Sequence, residues 1–404
     1  MLLTLAWRNV WRNKKRSLII ILAIAFGLWG GLMAGAIMMG WGESMVTTAI
    51  DRDLGHVQIH SPGFRLEQEL TNQLPGGFQI LQRVRALPQV QSACGHVVLE
   101  GMASSATSNF GVQIYGIVPE EEAHVTIIHQ KLITGSYFRE QTRNPAVIGA
   151  KLAERLGVKL HSRLVLGFQG LNGELVYLAV RVVGIYKTES TYFDESHLFL
   201  RQSDLFRVIG VRPFIHEITI RARHSRLVPA LLQTLRQQYP DLDVASWKEI
   251  APEIAYMAAS MDSFTYLFLA IILFALLFGI TNTMLMAVVE RFRELGVLLA
   301  VGMTRVRIFV MILLETILLS LTGGLAGIIM GVGTLAVVGQ YGLDLSAFES
   351  SLASFGASAI LYPYLPLEMY VVLTIMILLT ALVGAALPAW KAVHIQPAQA
   401  TRIV

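Results

Sequence analysis

Residues 17–41 read SLIIILAIAFGLWGGLMAGAIMMGW, a run of 25 residues without one charge. Three more blocks follow the same rule: Ser263 to Val289 and Met369 to Trp390 carry no charge, and Ile308 to Val338 carries only Glu315. A bilayer core needs about 20 apolar residues in a helix, so each block is long enough to cross with some tilt. The first run is about twice as long as the apolar region of a typical signal peptide, and no small-x-small cleavage site ends it, so it reads as a retained anchor. Four spans are expected, at 17–41, 263–289, 308–338 and 369–390.

The charges lie between the blocks. Arg8, Arg12, Lys14, Lys15 and Arg16 precede the first span, Arg291, Arg293, Arg305 and Arg307 fill the turn 290–307, and Lys391 and Arg402 follow the last. The loop from Gly339 to Leu367 has no Lys or Arg and carries Asp344 and Glu349. By the positive-inside rule both termini (1–16 and 391–404) and the turn 290–307 face the cytoplasm, and the segments 42–262 and 339–368 face outward. The net charge of +4 is thus a topology signal. No basic patch with interleaved aromatics points to nucleic acid. Only 15% of residues are charged and 54% are apolar, against about 25% charged in an ordinary soluble domain.

Within 42–262 the pattern changes from continuous to alternating. His56-Val57-Gln58-Ile59-His60 alternates and stops at Pro62-Gly63, as a half-buried strand does. Helices are expected at 78–86, 151–156, 202–209 and 226–238. Strands are expected at 95–100, 112–117, 145–148, 197–200 and 217–221, with a hairpin turned at Gly170-Leu171-Asn172-Gly173. The fold class is therefore membrane α-helical, with four spans and a large two-lobed α+β domain inserted between the first and second. Cys94 is the only cysteine; no intrachain disulfide is available, and the thiol reads as a buried one. His56 and His60 read as surface or partly buried residues, and Glu120-Glu121-Glu122 after Pro119 as a solvated first helical turn. No nucleophile elbow, H-E-x-x-H, C-x-x-C or G-x-x-x-x-G-K-[ST] occurs. No catalytic residue, metal ligand or bound cofactor is expected, and a membrane-anchored enzyme is the least favoured class.

Trp7 and Trp11, with Arg8 and Arg12, give residues 1–16 the look of an amphipathic helix along the interface. Gly27, Gly31 and Gly35, and again Gly323, Gly327 and Gly331, fall every fourth residue. Such stripes let helices approach closely, either within one subunit or at a seam between two. Glu315, about two turns beyond Arg307, reads as a structural pair or cap in preference to a proton relay. Met38, Met39, Trp41, Met45, Tyr256, Met257, Met261 and Phe264 cluster where the outer segment meets the membrane. They suit an apolar cargo pocket or plain lipid contact.

The segment Asn282 to Arg305 contains Glu290, Arg291, Glu294, Leu295, Gly296, Ala300 and Gly302 in the spacing E-R-x-x-E-[IL]-G-x-x-x-A-x-G. This resembles the signature of the FtsX-like (MacB, LolC/LolE) permease superfamily of mechanotransmitting ABC transporters. Glu315 matches a glutamate that commonly follows on the next span. The tail from Leu387 and Pro388 through Pro397 to Arg402 resembles the family ending, with Thr401 where an apolar residue is usual. The resemblance implies a permease subunit of the bacterial inner membrane, not itself an enzyme, with ATP and Mg on a separate ATPase. The 290–302 turn, with Arg293, would dock on that ATPase, two copies per complex. A second permease copy or a paralogue would complete the transporter, and membrane lipid would surround it. The cargo would be a lipoprotein or other hydrophobic envelope molecule; an FtsX-like signalling or scaffold role, activating an envelope enzyme, is the alternative. A periplasmic chaperone or adaptor is a further partner, although the hairpin Phe168 to Glu174 lacks the proline of the family's chaperone-capturing hook.

Overall fold

The computed structural model describes residues 2–12, 14–138 and 142–394. The chain divides into a helical unit (Met1–Gly42, Ala259–Asp344, Ile360–Val404) and a sheet domain (Glu43–Ala258, Leu345–Ala359). Leu345–Ala359, expected as part of a separate external loop, belongs to the sheet domain, where Lys187 Nζ donates to Glu349 at 2.6 Å.

Among the described residues, four helices are long and apolar enough to cross a membrane. They are Lys14–Ala49, Pro252–Glu290, Arg305–Tyr341 and Leu367–Val393. The first runs past Trp41, and the second begins well before Ser263, so both extend beyond the apolar blocks. Arg305–Tyr341 is the most enclosed, with half of its apolar window buried, because its glycines admit neighbours. A Cβ on Gly323 would stand 2.9 Å from the Ile21 carbonyl oxygen, and one on Gly327 2.8 Å from that of Ala25. The other stripe faces different neighbours: a Cβ on Gly27 would meet Leu276 at 2.6 Å, on Gly31 Leu269 at 3.6 Å, and on Gly35 Leu365 at 3.5 Å. Gly331 receives Leu32. Both stripes are filled from within the chain. The helix Leu2–Arg12 buries Ala6 and Val10 and leaves Trp7 and Trp11 half exposed, their rings edge-to-face at 5.8 Å.

The sheet domain holds ten strands: β1 (Val57–His60), β2 (Val90–Ser104), β3 (Asn109–Ile117), β4 (Leu132–Gly135), β5 (Pro145–Gly149), β6 (Arg163–Gln169), β7 (Leu175–Tyr186), β8 (His197–Arg201), β9 (Glu217–Ala222) and β10 (Asp243–Ser246). The long strand β2 serves both lobes. Its first half pairs with β9, in a sheet ordered β10-β1-β9-β2. The helices Gly77–Arg85 and Val228–Gln238 cover that sheet through Leu81, Val84, Leu231 and Leu235. Its second half pairs with β3 and β6. There the pairing β2-β3-β8-β5-β7-β6 returns to β2, so six strands close on themselves around Val97, Ile114, Ile148, Leu166, Val180 and Leu198. Closure leaves these strands no free edge. The expected strand 95–100 is thus the middle of a 15-residue strand, because two sheets share it.

Candidate functional site

The turn that carries the sequence signature is built by two local devices. The helix Pro252–Glu290 stops at Glu290, Arg291 leaves helical geometry, and a short helix, Phe292–Ala300, follows. It ends in a Schellman cap: Gly302 N donates to the Leu299 carbonyl at 3.1 Å, and Met303 N to that of Leu298 at 3.0 Å. Gly302 has φ +99°, a conformation that side-chain-bearing residues rarely adopt. Leu295 and Gly296 point inward and are buried, whereas Glu290, Arg293 and Ala300 are exposed. Val297, Val301 and Val306 are 55%, 82% and 70% exposed and form an apolar ridge on the turn.

Two charged residues of the signature are engaged inside the helical unit. Arg291 donates through one terminal nitrogen to both oxygens of Glu315, at 3.0 and 3.1 Å, and this pair is almost fully buried. The sequence places Arg307 nearest to Glu315, but the fold-back of the turn brings Arg291 there instead. Glu294 pairs with Arg12 at the surface. The tail residues Pro397, Thr401 and Arg402 lie outside the described residues. The eight apolar residues assigned to a cargo pocket range from Met45, buried, to Tyr256, 76% exposed, and Phe264, 47% exposed. Met45 alone of them lines a cavity in the sheet domain, of about 460 Å³, beside Ala49, Phe193, Ile254 and Phe355.

A second constellation lies in the sheet domain, where sequence reading expected nothing. His60, Glu217 and His96 are direct cross-strand neighbours on β1, β9 and β2. His96 Nδ1 lies 2.8 Å from Glu217 Oε1, and His60 Nε2 lies 3.3 Å from Glu217 Oε2. On its other side His96 Nε2 meets Glu122 Oε2 at 2.5 Å. Glu122 comes from the helix Pro119–Val125 and also accepts from Thr126 Oγ1 at 2.9 Å. Cys94, two residues before His96 on the same face of β2, lies 3.2 Å from His96 Nε2 and 3.3 Å from Glu122 Oε2.

Burial by itself would push the His96 pKa down; the neighbouring Cys94 and Glu122 override it and raise it well above the usual histidine range. Burial would likewise raise both carboxylates, but the imidazoles hold Glu217 and Glu122 below their usual values. The Cys94 thiol is pushed up to about 12, by burial first and Glu122 second. Three expectations are corrected here. His56 and His60 are buried, His56 accepting from Ala222 N at 3.3 Å. Glu122 is buried as well, because its helix lies against β2 and only its neighbours Glu120 and Glu121 face outward. The signal that could have found the cluster is the C-x-H at 94 and 96 on one strand face. Its partners lie 26 and 121 residues further on, in elements whose pairing local pattern does not specify.

Spans, turn and inserted sheet domain together define a multi-pass membrane protein. Residues 17–238 match the MacB-like periplasmic core domain and residues 266–397 the FtsX-like permease C-terminal domain. The first match alone covers more than half of the chain, which therefore belongs to the MacB-like, FtsX-like family of ABC transporter permeases. The macrolide export ATP-binding/permease protein MacB of Brucella abortus (strain 2308) is 23% identical over 84% of this chain and 54% of its own length. The pyoverdine export ATP-binding/permease protein PvdT of Pseudomonas syringae pv. tomato is 25% identical over 89% and 56%. The chain thus spans about half the length of these two relatives. The uncharacterised ABC transporter permease YknZ of Bacillus subtilis is 23% identical over 83% of this chain and 86% of its own length. Among solved structures, the periplasmic region of MacB from Actinobacillus actinomycetemcomitans aligns with a TM-score of 0.35 at 15% identity, covering 52% of this chain and 97% of that one. The extracellular domain of YknZ gives 0.33 at 14%, covering 47% and 99%.

Proposed function

We propose that this chain is the non-catalytic membrane subunit of an exporter, receiving force at the 290–304 turn from a separate ATPase that holds ATP and Mg. In this reading the turn and both termini face the cytoplasm of a bacterial inner membrane, following the basic flanking segments. Motion of the sheet domain then expels a lipoprotein or other hydrophobic cargo already outside that membrane. Two ATPase copies and a second permease, identical or paralogous, complete the complex. The observation that carries the reading is the turn itself: a short helix with an exposed valine ridge, closed by a glycine cap and tied from behind by Arg291 and Glu315. A small apolar and charged knob of this kind suits a cleft on a soluble partner. The export functions in the names of the relatives MacB and PvdT support transport over signalling.

The test is co-purification and ATP hydrolysis with a candidate ABC ATPase partner. Val297→Asp with Val301→Asp changes only exposed side chains, so the protein should fold while partner binding and stimulated hydrolysis fall at least about tenfold. Wild-type binding and hydrolysis in that variant would refute the docking assignment. Photocrosslinking from the sheet domain addresses the cargo: lipidated protein supports export, and capture of a soluble envelope hydrolase instead would mean a signalling subunit.

A further inference from the structure

Cys94, His96 and Glu122 are three chemically different ligand types, all buried, whose donor atoms lie within 4.8 Å of one another. We propose that Cys94 Sγ, His96 Nε2 and Glu122 Oε2 form a structural zinc site that staples the helix Pro119–Val125 to strand β2.

The geometry supports one ion shared by three ligands. The three donor atoms form a triangle with edges of 2.5, 3.2 and 3.3 Å. Zinc binds sulfur at about 2.3 Å and nitrogen or oxygen at about 2.0 Å, so a tetrahedral face has edges of about 3.3 to 3.5 Å. The two edges to sulfur are already close to this. Only the nitrogen–oxygen edge must open, by less than about 1 Å.

The surroundings are those of a metal-binding histidine. His96 is held from behind by Glu217, which accepts a hydrogen bond from the Nδ1 N–H and leaves Nε2 to coordinate; such a carboxylate–histidine pair is the usual outer shell of zinc. Glu217 is in turn held by His60, so the orienting group is itself oriented. Charge agrees too. Thiolate and Glu122 carboxylate together neutralise a divalent ion, and binding displaces one proton from Sγ and one from Nε2 to solvent. Ligands of this softness favour zinc over calcium or magnesium. Because all three are buried, the site is structural: it fixes a helix to a sheet in a domain that has no disulfide to do so.

Metal content and cobalt spectra of the full-length protein, purified in detergent with any tag removed, test the site. About one zinc per chain is expected, and a chelator should lower the melting temperature. Cobalt substitution should give a thiolate charge-transfer band that Cys94→Ser lacks. Glu217→Gln, which touches the metal only through His96, should weaken affinity about 10- to 100-fold without removing that band. A folded wild-type protein that holds no zinc, shows no thiolate band with added cobalt and melts identically with chelator overturns the proposal. In that case the cluster is held by protons alone. The wild-type spectrum decides the matter even where a variant fails to fold.

Discussion

In the helical unit the buried carboxylate of Glu315 faces the guanidinium of Arg291; in the sheet domain two of the buried carboxylates, Glu122 and Glu217, have one imidazole, His96, set between them. The cost of removing a carboxylate from water is of the same kind in both, several kcal/mol per ion. The solutions differ. A guanidinium keeps its charge at any ordinary pH, so Arg291 and Glu315 stay an ion pair that serves as a brace behind the turn. The imidazole has two ring nitrogens and a proton it can exchange, so the sheet cluster is a chain of shared groups in which His96 and Glu217 each hold at least two others. A pair can be replaced as a unit, whereas a chain cannot.

The largest effect should come from breaking these two systems. Glu315→Ala should destabilise the helical unit by about 3–5 kcal/mol in reversible detergent unfolding, and Arg291→Met with Glu315→Leu should recover most of it. His96→Leu should cost a similar amount in the sheet domain, since it leaves Glu122 facing Glu217, yet no single second substitution should restore it. Equal rescue in both would erase the distinction. Next comes acid. His197 stacks on Phe193 at 4.1 Å, and burial, helped by Arg52, lowers its pKa from 6.5 to about 3. The unfolded chain therefore binds a proton below 6.5 that the folded domain refuses, and stability is lost as pH falls towards 3. His197→Gln should flatten that slope by about 1.4 kcal/mol per pH unit in urea titrations. A smaller effect is steric. Gly327→Val drives a Cβ to 2.8 Å from the Ala25 carbonyl and should cost about 1–3 kcal/mol. Gly324→Ala, with nothing within 4 Å of its Cβ, should be neutral. Smallest is Arg12→Ala: its pair with Glu294 is more than half exposed on both sides and should be worth under about 1 kcal/mol.

The two regions were also unequally legible. Four spans follow from charge-free runs because a bilayer imposes its constraint on contiguous sequence, and the glycine stripes follow because helical neighbours recur every fourth residue. Gly302 announced its turn because only glycine accepts that φ. In the sheet domain, alternation located most strands, and Gly170 to Gly173 marked a hairpin. Strand order stayed hidden: β9 inserts between β1 and β2, and β3 runs parallel to β8, through pairings that no local pattern encodes. The buried roles of His56, His60 and Glu122 were misread for that reason.

Membrane crossing, the inserted domain and the signature turn were therefore settled by the amino-acid sequence alone, since each depends on residues adjacent along the chain. The partner of Glu315, the filling of both glycine stripes from within one chain, the six-stranded closure and the gathering of Cys94, His96, Glu122, Glu217 and His60 were decided by tertiary structure. Each of these depends on strand register or helix contact between segments far apart in sequence, and only the folded backbone brings those segments together.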